Sequence, residues 1–197
     1  LNGGTYNAST ATTTHSSTWT HTSGTGSFVH NSGTTAFIGG ATAIDLASPE
    51  TFGAFTINKN NLNILTVSTG DTLIVTGLLT LTEGKFGTGT IEAQGDVNVS
   101  SAYDKDGTGI LKFTGGNIQN LILTATTDIN DGDVYVNKSG GRVDLGGALT
   151  LNASNQDFAI EEGTFDCNGN NLTVNGVSGK FFVEDGGNFQ LQGGETV

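Results

Sequence analysis

Apolar residues in this chain fall in short alternating runs separated by glycine, asparagine, threonine and aspartate. Phe55-Thr56-Ile57, Ile64-Leu65-Thr66-Val67, Thr72-Leu73-Ile74-Val75, Leu79-Thr80-Leu81, Thr90-Ile91-Glu92-Ala93 and Asp96-Val97-Asn98-Val99 follow one another closely. A period of two with β-branched residues predicts half-buried strands. The breaks, among them Ser23-Gly24-Thr25-Gly26, Asn60-Asn61, Thr69-Gly70-Asp71, Glu83-Gly84 and Gln94-Gly95, hold residues that tolerate positive φ and predict tight turns. The only proline, in Ala47-Ser48-Pro49-Glu50, marks a protruding loop. No stretch of eleven or more residues keeps a helical period without an interrupting glycine, so the chain reads as all-β.

A longer period lies over these runs. Ile57-Asn58-Lys59 and Leu81-Thr82-Glu83-Gly84-Lys85-Phe86 return as Val136-Asn137-Lys138 and Ile160-Glu161-Glu162-Gly163-Thr164-Phe165, offset by 79 at both ends. Phe37-Ile38-Gly39-Gly40 is echoed by Phe113-Thr114-Gly115-Gly116 at an offset of 76. Repeats of strand-like sequence favour a single-stranded parallel β-helix (β-solenoid) over the alternative, a β-sandwich. Four coils per repeat give about 19–20 residues each and roughly ten coils, a rod of roughly 45–50 Å. The whole chain, 1–197, then forms one solenoid. It has an uncharged Thr/Ser/Gly-rich start (1–44), repeat copies at about 33–108 and 109–176, and a partial copy at 177–197. Asn60, Asn61, Asn168, Asn170 and Asn171 are placed to bond between coils.

Composition narrows the picture. Gly numbers 31 against one Pro, and hydrophobic residues make up 35%, which suits a thin folded column. The net charge of −12, with Arg142 as the only arginine, argues against nucleic acid and anionic membrane surfaces. No apolar run approaches a membrane span, so no membrane insertion is expected. Cys167 stands alone and reads as a small buried hydrophobe. Methionine is absent, so a processed or excised segment is expected.

The stretches "FTINKNN…LTVSTGDTLIVTGLLTLTEGKFGTGTIEAQGDVNV" and "VYVNKSGGRVDLGGALTLNASNQDFAIEEGTFDCNGNNLTVNG" resemble the β-strand repeats of very large bacterial surface proteins, filamentous, adhesin-like and sorting-tail. The likeness covers roughly residues 33 to 197. It implies repeat architecture and extracellular, cell-surface display, and it brings no catalytic residues.

Several residue groups are candidates for chemistry. Asp104-Lys105-Asp106-Gly107 opens like a calcium loop, and Asp128-Ile129-Asn130-Asp131-Gly132-Asp133 would share an ion with it if the two stacked. Without an acidic residue closing either loop, the expectation is no cofactor, with calcium as the one to test. His15, His21 and His30 would have to converge to hold zinc or nickel. Thr18/Thr20/Thr22, Thr80/Thr82, Thr88/Thr90 and Thr124/Thr126 invite an ice-binding reading, but they do not recur once per coil. Glu161-Glu162 is the carboxylate pair that a polysaccharide-active enzyme would need, yet it occupies the place of Thr82-Glu83 and reads as scaffold. Trp19 and Tyr103 are the aromatic candidates for a glycan surface.

These observations lead us to expect no enzyme and no catalytic, cofactor-binding or metal residues. The expected function is an extracellular structural module that forms a surface fibre or filament by end-to-end stacking. Its partners would be further copies of itself, in a head-to-tail homopolymer, or neighbouring repeats of a longer chain. The alternative is an adhesin segment binding a glycan or cell surface; a polysaccharide-active enzyme and an ice-binding protein rank below both.

Overall fold

The computed structural model describes residues 1–22 and 24–197; Ser23, at the head of one predicted turn, lies outside them. The chain winds as a parallel β-solenoid of about eight coils, each with three sides. The first coil holds β1 (Gly4–Asn7), β2 (Thr12–His15) and β3 (Trp19–His21). The second holds β4 (Gly26–Val29), β5 (Thr34–Gly39) and β6 (Thr42–Leu46), and the third β7 (Glu50–Phe52), β8 (Ala54–Lys59) and β9 (Ile64–Val67). The fourth holds β10 (Thr72–Val75), β11 (Leu79–Glu83) and β12 (Lys85–Phe86). The fifth, β13 (Thr90–Ala93) and β14 (Val97–Ser100), and the sixth, β15 (Ile110–Phe113) and β16 (Gln119–Thr124), have irregular chain on the third side. In the seventh, β17 (Val134–Leu145) bends over two sides before β18 (Leu149–Leu151). The eighth repeats this with β19 (Phe158–Asp166) and β20 (Leu172–Val174). β21 (Phe181–Val183) and β22 (Gly187–Gln190) begin a ninth.

Every strand pairing among the described residues is parallel and joins successive coils, as a solenoid requires and a sandwich does not. Phe55, Leu79, Val97, Leu121 and Leu145 are register partners in one inward column, each fully buried. Burying such a side chain is worth about 1.5–3 kcal/mol. The residues after four of these, Thr56, Thr80, Asn98 and Ile122, form the outward ladder beside that column.

The corner between the first and second sides is paved with glycine. A Cβ on Gly53 would lie 2.6 Å from the Gly33 carbonyl oxygen, and one on Gly95 would lie 2.3 Å from that of Gly77. At these two positions the coils approach too closely for a side chain.

Coil length departs from expectation. Register partners are separated by 18 residues (Leu79 to Val97) to 25 (Trp19 to Ile44), so there are about eight coils rather than ten. The 79-residue repeat is therefore not four coils but three coils and two sides. Lys59 and Gly84 lie at the corner between the second and third sides, whereas Lys138 and Gly163 lie between the first and second. What repeats in the sequence is a way of turning a corner, and one solution serves at two different corners.

Candidate functional site

The two acidic turns meet. They occupy the irregular third side of the fifth and sixth coils, where the Asp131 amide donates to the carbonyls of Lys105 and Gly107, both at 2.8 Å. Asp106 N–H is turned onto Asp104 Oδ1 at 3.0 Å, and Lys105 reaches Asn152 Oδ1 at 2.8 Å. Burial pushes the Asp131 carboxyl above its ordinary range; Asp106, Asp104 and Asp128 add to this and Lys105 opposes it. Among the described residues no three His, Cys, Asp or Glu side chains gather where they could hold one ion.

The histidines go to separate partners. His15 stacks on Phe37 and meets the edge of Trp19, with ring centroids 5.3 and 5.1 Å away, and burial lowers its pKa. His21 pairs with Glu50 through Nδ1, and His30 Nδ1 accepts the Ser32 amide. Glu161 is engaged by Lys112 at 3.1 Å and by Asn137 Nδ2 at 2.6 Å. Burial raises its pKa, but these two partners together hold it below the usual value. Glu162 is exposed. The threonine rows are short: Thr56 is followed by Thr80 and Thr72 by Thr90, but the next coil sets Asn98 after Thr80 and Ile110 after Thr90, and Thr20 is followed by Asp45.

Tyr103 is not a surface platform. It is 8% exposed, and its hydroxyl lies between the Phe86 amide (3.1 Å) and Asn130 Oδ1 (3.3 Å). Cys167 is fully buried, and burial pushes its thiol up to about 11, so it is inert filling. Three of the five asparagines join coils through their side chains, to backbone: Asn168 and Asn170 Nδ2 both donate to Leu145 O, at 3.4 and 2.8 Å, and Asn171 Oδ1 accepts the Thr196 amide at 2.9 Å. Asn60 and Asn61 do so through their backbone amides, on Gly39 O and Glu83 Oε1.

Sequence reasoning missed a polar interior. Lys59 and Lys138 are 0% and 1% exposed. Lys59 donates to Ile38 O at 2.9 Å and lies 5.8 Å from the Phe37 ring centre; Lys138 donates to Thr114 O at 3.2 Å and to Gln119 Oε1. Among the described residues neither has a carboxylate within ion-pair distance, and burial lowers the Lys59 pKa to about 8. Gln119 donates in turn to Ala93 O and Gly95 O at 2.8 and 2.7 Å. On the third side, Asn130 donates to Gly109 O, and Gln156 donates to Asn130 O and Gly132 O. These side chains bond carbonyls at the corners and at the strand ends beside them. The one signal in the sequence is the paired spacing of Asn-Lys and Glu-Gly, which reads as turn residues of the stack.

The two end faces complete the inventory. Below, β1, β2 and β3 pair only upward, and half-buried Tyr6, His15 and Trp19 line an open groove of about 320 Å³. Above, β21 and β22 pair only with β19, and Phe181 and Phe189 stand 5.0 Å apart on the rings of Phe158 and Phe165. Compared with protein-family models, with curated proteins and with solved structures, the chain matches none.

Proposed function

We propose that this chain is a structural module of an extracellular bacterial surface fibre, adhesin-like in build, which lengthens by continuing its coil stack end on. What continues the stack is a second copy or adjoining repeats of a longer chain. The observation that carries the reading is the pair of aromatic end faces on one axis, Tyr6, His15 and Trp19 at one end and Phe181 and Phe189 at the other. These rings are half-buried, and covering what remains exposed of them stabilises the contact by about 25 cal/mol per Å² removed from water.

Charge supports a head-to-tail order. Residues 1–44 carry no Asp, Glu, Lys or Arg, whereas the upper end carries Glu184, Asp185 and Glu195 against Lys180. Head-to-tail contact sets a neutral face on an acidic one, and tail-to-tail contact sets acid on acid. A contact of that heterologous kind does not close, so it builds a filament.

Sedimentation over a concentration series tests this. The expected outcome is mass that grows with concentration, and Trp19→Asp or Phe189→Asp, each melting as the parent does, should abolish the growth. Growth unchanged in both variants contradicts the reading.

A further inference from the structure

The lower end face has a histidine among its rings. His15 ends β2 at the corner leading to the third side, half-buried, with its ring stacked on Phe37 and against the edge of Trp19. It lines the open end groove together with Leu1, Tyr6 and Trp19. The other two histidines have polar partners, Glu50 for His21 and the Ser32 amide for His30. Among the described residues no hydrogen bond or ion pair reaches the His15 ring.

The groups around this ring suit a neutral imidazole. β1 offers Tyr6, β3 offers Trp19 and β5 offers Phe37, none of them charged. The charges beside them are cations: the Leu1 amino group lines the same groove and donates to Thr20 O, and Lys59 Nζ of β8 lies 5.8 Å from the Phe37 ring centre. An imidazolium here meets no anion, and burial already lowers the His15 pKa from its ordinary value.

The face that would cover it is also poor in free anions near this position. Register followed from Gln190 through Asp166 and Asp144 places Leu191 in the column that ends below on Thr13. The upper segment that arrives at His15 in a continued stack is therefore Gln192 to Glu195. Glu195 already accepts the amides of Gln192 (2.7 Å), Gly193 (2.6 Å) and Gly169 (3.0 Å). Glu184 and Asp185 stand in the turn between β21 and β22, at the corner between the first and second sides, and Lys180 precedes β21. Covering the groove thus takes water from the His15 ring and supplies no free carboxylate in its place.

We propose that end-on stacking is gated by protons: it proceeds while His15 is neutral and is opposed when the imidazole in the end groove takes up a proton. The proposal rests on the end-on reading and adds its regulation. A free copy then binds this proton more readily than a covered one, so acid favours separate copies. Weakening sets in as pH falls through the His15 pKa of the free copy, and it approaches tenfold per pH unit until the covered ring also titrates.

The test is sedimentation over a concentration series at about pH 7.5 and about pH 5, with the parent, His15→Phe and His30→Gln. Alongside it, the His15 imidazole of the parent is titrated by NMR in dilute and in concentrated samples. The parent and His30→Gln should each associate about threefold or more weakly at the lower pH, and His15→Phe, which keeps a ring on Phe37, should lose most of that difference. In the parent, the His15 midpoint should lie lower in the concentrated sample. Parent association that is equal or stronger in acid overturns the proposal and leaves the end-on reading standing. The same holds if the pH dependence persists in His15→Phe, if it vanishes in His30→Gln, or if the midpoint does not move with concentration. No growth at either pH removes the end-on reading, and this proposal with it.

Discussion

Lys59 shows how a single residue sets the character of a corner. Its ammonium is buried with a carbonyl and a ring as partners, and desolvation lowers its pKa from about 10.5 to about 8. Between those values the unfolded chain binds more protons than the folded one, so this lysine's contribution to stability rises with pH. Lys59→Met should therefore melt higher than the parent at pH 7, and its advantage should shrink from pH 8 toward 10.5. The difference between the two proteins is the quantity to follow, because Cys167 and Tyr135, pushed up to about 11 and about 12, destabilise both at high pH. A gap independent of pH would contradict the buried-cation account. Tyr103 is the neutral counterpart. Tyr103→Phe leaves the Phe86 amide and Asn130 Oδ1 short of a partner, and thermal or denaturant unfolding should show a loss of about 1–3 kcal/mol. A neutral result would mean that the third side does not depend on that hydroxyl.

At the scale of the element, the strands were legible and the corners were not. Alternation at Leu79-Thr80-Leu81 or Val97-Asn98-Val99 reports directly which side chains face the column, since the pleat has a period of two. Coil length carries no such local signature. It depends on how many residues each corner spends, and corners range from the single Gly53 between β7 and β8 to the six residues 152–157 between β18 and β19. That is why an even division of 79 residues overcounted the coils. Of the candidate sites, the meeting of the two acidic turns was foreseen as a condition, whereas the buried Lys59, Lys138, Gln119 and Gln156 were not. Polar residues inside a column are chosen by carbonyls of neighbouring coils, which lie about 20 or more residues away in sequence and leave no local pattern. The glycine corner makes its own prediction. Gly95→Ala sets a methyl against the Gly77 backbone and should cost about 1–3 kcal/mol in denaturant unfolding, while Gly40→Ala, with open space around it, should stay within about 0.5 kcal/mol. Equal effects at the two positions would refute the close-approach argument.

At the scale of the whole molecule, one geometry accounts for most of the chain's composition. A column one or two side chains thick needs few apolar residues, many turn formers and little charge inside, and 35% hydrophobic content with 31 glycines meets that need. Because strands pair only between successive coils among the described residues, lengthening the stack adds interface without changing its width. Eight coils at the spacing of parallel strands make a rod roughly 40 Å long. Negative-stain electron microscopy over a concentration series measures this most directly. The account predicts rods of constant width whose lengths fall at multiples of roughly 40 Å and increase with concentration. Single short particles at every concentration, or particles that grow in width instead of length, would contradict it.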